Sequence, residues 1–128
     1  MKKGESEALN ERNEYILDEF MELKKSCRYP SMYAICKVLA VMPADHHYIS
    51  VAIASRIWCY WRRTGHLRFN CHFYKKKLYQ SFINECEKLQ DSGLSNRKII
   101  LTALDLPAPC LGISPHHIFR ILKKMKQK

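Results

Sequence analysis

Glycine and proline are scarce in this chain, which has four glycines and five prolines among 128 residues. Because both residues interrupt regular structure, their scarcity favours long helices over a fold of many short strands. No apolar run approaches the roughly 18 residues of a membrane span, so no contact with a membrane is expected. The amino terminus, MKKGESEALNERNE, lacks the apolar stretch of a signal peptide. We therefore expect a cytoplasmic protein in a reducing compartment.

The six cysteines form no CxxC pair, the arrangement that brings two zinc ligands together in one tight turn. A disulfide framework would need a secreted protein. Cys36 and Cys86 fall on apolar helical stripes, which favours free, buried thiols. The only cluster of metal-capable side chains within fourteen residues is Cys59, His66, Cys71 and His72. This cluster lacks a CxxC-type pair that would bring two ligands together in one tight turn, so we expect no metal and no cofactor.

The sequence also lacks the motifs of common enzymes, since it contains no GxSxG, no P-loop and no HExxH. Asp45 and Asp105 are isolated acids without an acidic neighbour to share a metal ion. Cys110 is a single thiol without a nearby base. These absences predict a protein that is not an enzyme.

The net charge of the chain is +10, and the acidic residues are unevenly placed. They are absent from two long stretches, 46–84 and 106–128. The first 22 residues, by contrast, carry seven acids. Charge separated in this way produces positive regions, whose usual partner is a polyanion such as nucleic acid. The alternative is a basic face that only keeps the protein in solution.

Apolar residues at helical spacing, together with caps and breakers, predict an all-α fold. Ser31, Ser50, Ser95 and Ser114 are suited to cap the helices that follow them. Pro43 and Pro107 end helices, and Pro115 occupies a favoured first helical position. The predicted helices cover about 11–24, 32–41, 51–63, 73–90, 96–104 and 115 onward.

Two seventeen-residue segments resemble each other at a distance of 64 positions: MPADHHYISVAIASRIW (42–58) and LPAPCLGISPHHIFRIL (106–122). The alignment pairs apolar residues at helical spacing: Ala54 with Ile118, Ile57 with Ile121, Trp58 with Leu122 and Trp61 with Met125. We therefore predict two tandem three-helix units, 11–65 and 70–125, packed as one compact domain.

The last two helices of each unit resemble a helix-turn-helix. The segment LSNRKIILTALDL…GISPHHIFRILKKM is similar to bacterial trihelical, homeodomain-like DNA-binding domains. The similarity rests on Gly112, Ile113, Ser114, Ile118, Arg120, Ile121 and Leu122. It implies that the helix after Ser114 enters the major groove of DNA. The segments before the third and the sixth helix are longer than the turn of a usual helix-turn-helix, which departs from that pattern.

The resemblance and the charge pattern together predict double-stranded DNA binding, sequence-specific or general, by a small regulator of transcription. On the sixth helix the candidate DNA-binding residues are His116, His117, Arg120, Lys123 and Lys124. On the third helix they are Arg56, Arg62 and Arg63. The segment that joins the units adds Arg68, Lys75, Lys76 and Lys77.

Two other functions fit the same residues. The joining segment interleaves aromatic and basic residues, as binders of single-stranded nucleic acid or RNA do. A protein-interaction module would instead use an apolar docking edge around Tyr48, Leu111 and Phe119. The oligomeric state is left open.

Overall fold

The computed structural model describes residues 3–26, 28–67 and 73–126, and six α-helices make up most of this part of the chain. The prediction of an all-α fold is confirmed. The first helix begins earlier than predicted. The predicted start followed the apolar stripe, and the first turns of the helix are polar and carry no such stripe. The helices are α1 (Lys3–Lys25), α2 (Met32–Val41), α3 (Val51–Thr64), α4 (Phe73–Leu89), α5 (Asn96–Leu104) and α6 (Pro115–Lys126).

Four serine hydroxyls cap helices as predicted. Each accepts a hydrogen bond from the backbone N–H three residues later, at 3.1 to 3.3 Å. This bond satisfies a donor that the first turn of a helix leaves free. The caps are Ser31 on α2, Ser50 on α3, Ser95 on α5 and Ser114 on α6.

The helices of the two halves interleave. α2 makes its most extensive packing against α6, and α3 packs on α5. α1 lies against α2 and α6, while α4 lies against α5 and α3. The segments before α3 and α6 meet at Ala44 and Ala108, whose backbone N–H groups each donate to the other's carbonyl at 2.9 Å. These two alanines are 64 positions apart, as the segments of the sequence repeat are.

The core lies where these helices cross. Its largest fully buried side chains include Trp58, Phe20 and Phe82. The predicted stripe is buried at Ala54, Ile57, Trp58, Ile118 and Leu122. Ile121, Trp61 and Met125 are only half-buried, because they lie at the edge of the stripe.

The packing between the two halves of the chain affects the predicted division into two three-helix units. α2 and α5 begin 64 positions apart, and so do α3 and α6. Nine residues separate α2 from α3 and ten separate α5 from α6, in agreement with the long connections seen in the sequence. However, α2 has its main contact in the other half of the chain, on α6. The division into units 11–65 and 70–125 stays a prediction.

His47 fixes the connection between α2 and α3 to the second half. Its ring is 3% exposed, with Nδ1 at 2.9 Å from the Leu106 carbonyl and Nε2 at 2.8 Å from the Ser81 hydroxyl. Burial lowers the pKa of His47, because desolvation disfavours the charged imidazolium. A neutral ring therefore links α4 to both connecting segments.

Candidate nucleic-acid interface

Four of the helices contain no Asp or Glu: α2, α3, α5 and α6. They pack as two pairs, α2 on α6 and α3 on α5, which we call the acid-free pairs. Nine Lys and Arg side chains on these helices are exposed: Lys37, Arg56, Arg62, Arg63, Arg97, Lys98, Arg120, Lys123 and Lys124. These four helices therefore carry exposed positive charge and no carboxylate of their own.

The α2–α6 pair carries an ordered cluster of rings and ammonium groups, which we call the aromatic cluster. The Tyr33 and Phe119 rings meet edge to face, with centroids 5.9 Å apart. The Lys37 Nζ lies 5.5 Å from the Tyr33 centroid, and the Lys123 Nζ lies 5.1 Å from the Phe119 centroid. Cation–π attraction holds both ammonium groups beside the rings while they stay accessible to solvent. Phosphate groups can therefore reach two oriented cations here.

The α3–α5 pair holds its arginines in place by a different set of contacts. The Arg62 Nη1 donates to the Asn96 Oδ1 at 2.9 Å, and its guanidinium lies 6.0 Å from the Trp58 ring centroid. The Arg63 guanidinium lies 5.6 Å from the Tyr60 centroid. These contacts reduce the conformational freedom that each arginine would lose on binding a phosphate.

The start of α6 gathers further positive charge. Burial lowers the pKa of His117, and the positive charges of Arg12, Arg120, Lys75 and His116 lower it further. The sequence interpretation named four of these five residues, and the structure brings them together. It did not name Arg12, which lies among the acidic residues of α1.

The three consecutive lysines of α4 do not lie on one common surface. Lys75 lies beside the start of α6, whereas Lys76 and Lys77 line an open cavity with Leu67 and Gln80. Successive residues on a helix point in directions about 100° apart, which separates them. Arg68 lies outside the described residues, together with residues 69–72 of the joining segment.

Carboxylates pair with cations elsewhere. Within the ranges that the structure describes, the ion pairs are Lys25 with Glu22, Lys88 with Glu85 and His46 with Asp45. None of these described ion pairs involves a cation of the acid-free pairs.

Of the three residues named for the alternative docking edge, Tyr48 and Phe119 are half-buried, and only Leu111 is withdrawn from the surface. Leu111 is 2% exposed and belongs to the core. Phe119 packs on Tyr33, and the Tyr48 hydroxyl donates to the Asp45 carboxylate. The two connecting segments pair with each other at Ala44 and Ala108.

The described cysteines and acids offer no metal cage. No three His, Cys, Asp or Glu side chains come together as ligands within the described ranges. Cys36, Cys86 and Cys110 are buried and Cys59 is exposed. Burial raises the pKa of Cys86 to about 12, as expected for an unreactive core thiol. The described helices also include none that is long and apolar enough to cross a bilayer.

Comparison of the chain with protein-family models, with curated proteins and with solved structures finds no match. The sequence interpretation did not name Tyr33, Lys37, Arg97 and Lys98, because it looked for candidates on the third and sixth helices and in the joining segment. The available signal was the absence of acids from 96–104 and 32–41.

Proposed function

We propose that this protein binds nucleic acid, duplex DNA in the first place, through the acid-free pairs. The observation that carries the proposal is the set of nine exposed Lys and Arg side chains on four helices that contain no carboxylate. Such a surface binds a polyanion favourably, because its Lys and Arg side chains replace the counterions condensed on the nucleic acid and release them into solution. The aromatic cluster adds two cations held in fixed positions.

Base recognition is assigned to the exposed side of α6. Arg120 is exposed there, and a guanidinium can donate two hydrogen bonds to guanine. Lys123 and Lys124 lie one turn further on and would contact the backbone. This assignment agrees with the resemblance to trihelical DNA-binding domains, although α6 rests on α2 rather than within its own three-helix unit.

The first test is a titration of the whole protein with duplex DNA, single-stranded DNA and structured RNA, at low and at physiological salt. We expect duplex binding at micromolar concentration or tighter, with an affinity that falls steeply as salt rises. Tighter binding of the single strand would instead indicate a protein that binds unpaired nucleic acid. Absence of binding to all three at low salt would refute the proposal.

A matched pair of double variants separates the surface from the net charge. Lys37→Gln with Lys123→Gln removes two charges from the α2–α6 pair, and Lys25→Gln with Lys88→Gln removes two exposed charges that are paired with glutamates. The first variant should weaken duplex binding about tenfold or more and reduce the salt slope by about 2, because each phosphate contact contributes about one to the slope. The second should bind almost as the wild type does. Equal losses would mean that only net charge matters.

Replacement of Arg120 tests base recognition separately. Arg120→Ala should cost about 1–3 kcal/mol for a preferred duplex and little for a random one, if the guanidinium contacts a base. An equal loss on both duplexes would reduce Arg120 to a backbone contact.

A further inference from the structure

A cavity of about 210 Å³ lies where α1 and α4 meet the segments before α3 and α6. Its wall is mostly apolar, with Leu78 and Tyr79 from α4 and the backbone of Gly112. Two cationic side chains, Arg12 and Lys75, also line it. No aspartate or glutamate is among the described side chains of this wall.

Arg12 is the unusual member of this cavity. The residue is 8% exposed, and among the described residues its Nε and Nη2 donate to the Asn13 Oδ1 of its own helix, at 3.3 and 3.2 Å. No carboxylate lies within ion-pair distance of it in the described part of the chain. A guanidinium stays protonated, so the charge of Arg12 is buried without a carboxylate partner among the described side chains. Buried charges are normally paired, and this arrangement therefore points to an anion from outside.

A second cavity, of about 460 Å³, adjoins the first at Lys75 and Gly112 and extends to Ser114 and His117 at the start of α6. The charged groups that act on His117 are all positive, and they include Arg12 and Lys75. The first turn of a helix adds a partial positive charge of its own. Arg12 and Lys75 therefore bring positive charge to both cavities, while Glu11 and Asp45 act on Tyr48 in the wall of the first.

We propose that these adjoining cavities bind a phosphate group, with Arg12 and Lys75 as its charged ligands. A guanidinium offers paired donors that match phosphate oxygens, and an ammonium adds a second charge toward a dianion. The hydroxyls of Ser50 and Ser114 border the cavities and can donate to the remaining oxygens. The smaller cavity holds the volume of several water molecules at about 30 Å³ each, which is room enough for a phosphate.

The test compares two neighbouring lysines. Lys75 lines both cavities, whereas Lys76 is exposed on the same helix and lines neither. Inorganic phosphate is titrated at constant ionic strength into the wild type, Lys75→Gln and Lys76→Gln, and both the melting temperature and the pH titration of the His117 ring by NMR are followed.

We expect a saturable rise in melting temperature and a rise in the pKa of His117 in the wild type and in Lys76→Gln, because a bound anion offsets the neighbouring positive charges. Lys75→Gln should bind phosphate at least about tenfold more weakly, a change of about 1.4 kcal/mol. Arg12→Met should lose the effect entirely if it folds. Equal, unsaturable responses in the two lysine variants, or an unmoved His117, would overturn the proposal.

The phosphate has two possible sources, a nucleic-acid backbone or a free phosphorylated small molecule. If saturating inorganic phosphate displaces a duplex more than chloride of equal ionic strength does, the backbone is the source. If phosphate and duplex bind at the same time, the source is a free phosphorylated small molecule. The pocket does not rest on the proposed DNA binding: phosphate binding without duplex binding would refute only the latter, and the reverse would refute only the pocket.

Discussion

Replacement of Gly112 by alanine should be the most damaging of the substitutions at the glycines that terminate helices or turns. Gly65, Gly93 and Gly112 all have positive φ, at 74°, 85° and 82°. A Cβ in this left-handed region costs about 1–2 kcal/mol at any of them. At Gly112 the added Cβ would also lie 2.5 Å from the Leu78 Cδ2 and 3.2 Å from its Cβ, whereas at the other two nothing lies within 4 Å.

The contact with Leu78 sets the additional magnitude. Leu78 is 3% exposed, so its side chain cannot turn into solvent to relieve the overlap. Overpacking of this kind costs about 1–3 kcal/mol. We therefore expect Gly112→Ala to lower the free energy of unfolding by about 2–5 kcal/mol, against about 1–2 kcal/mol for Gly65→Ala and Gly93→Ala.

Urea unfolding followed by far-ultraviolet circular dichroism measures these differences, provided the denaturant slope stays constant. A double-mutant cycle with Leu78→Ala then isolates the contact, because the cost of Gly112→Ala should fall toward that of Gly93→Ala when the leucine is shortened. If Gly112→Ala costs no more than Gly93→Ala in the wild-type background, the close approach of α4 to this segment does not exist.

Two further predictions concern the core. Ile118 is fully buried and Ile121 half-buried, so Ile118→Ala should cost about 2–5 kcal/mol and Ile121→Ala clearly less, by the same urea assay; a reversed order would mean that α6 is rotated. Because burial lowers the pKa of His47, the unfolded state takes up the proton first, and the free energy of unfolding should fall as pH drops from 7 to 5. His47→Gln should show a smaller fall than His46→Gln, its half-exposed neighbour, and identical pH profiles would contradict the buried neutral ring.

The aromatic cluster illustrates how far the sequence could lead toward the site. Phe119 and Lys123 were both recognisable on the sixth helix, and the positive character of that helix is evident from its composition. Their partners, Tyr33 and Lys37, are more than 80 positions away. Helical periodicity reveals that a helix has an apolar face but not which helix covers it, so the pairing of α2 with α6 could not be read from the chain.

The sequence by itself determined the helices and most of their ends, because caps and breakers act within a few residues: Ser31 and Ser95 start α2 and α5 through local hydrogen bonds. It also determined where acids are missing. The tertiary structure alone decided that the two halves interleave, and that Arg12 is buried beside Lys75 instead of lying in solvent. Burial of a charge depends on elements distant in sequence, whose packing is selected by the whole core and not by any local pattern.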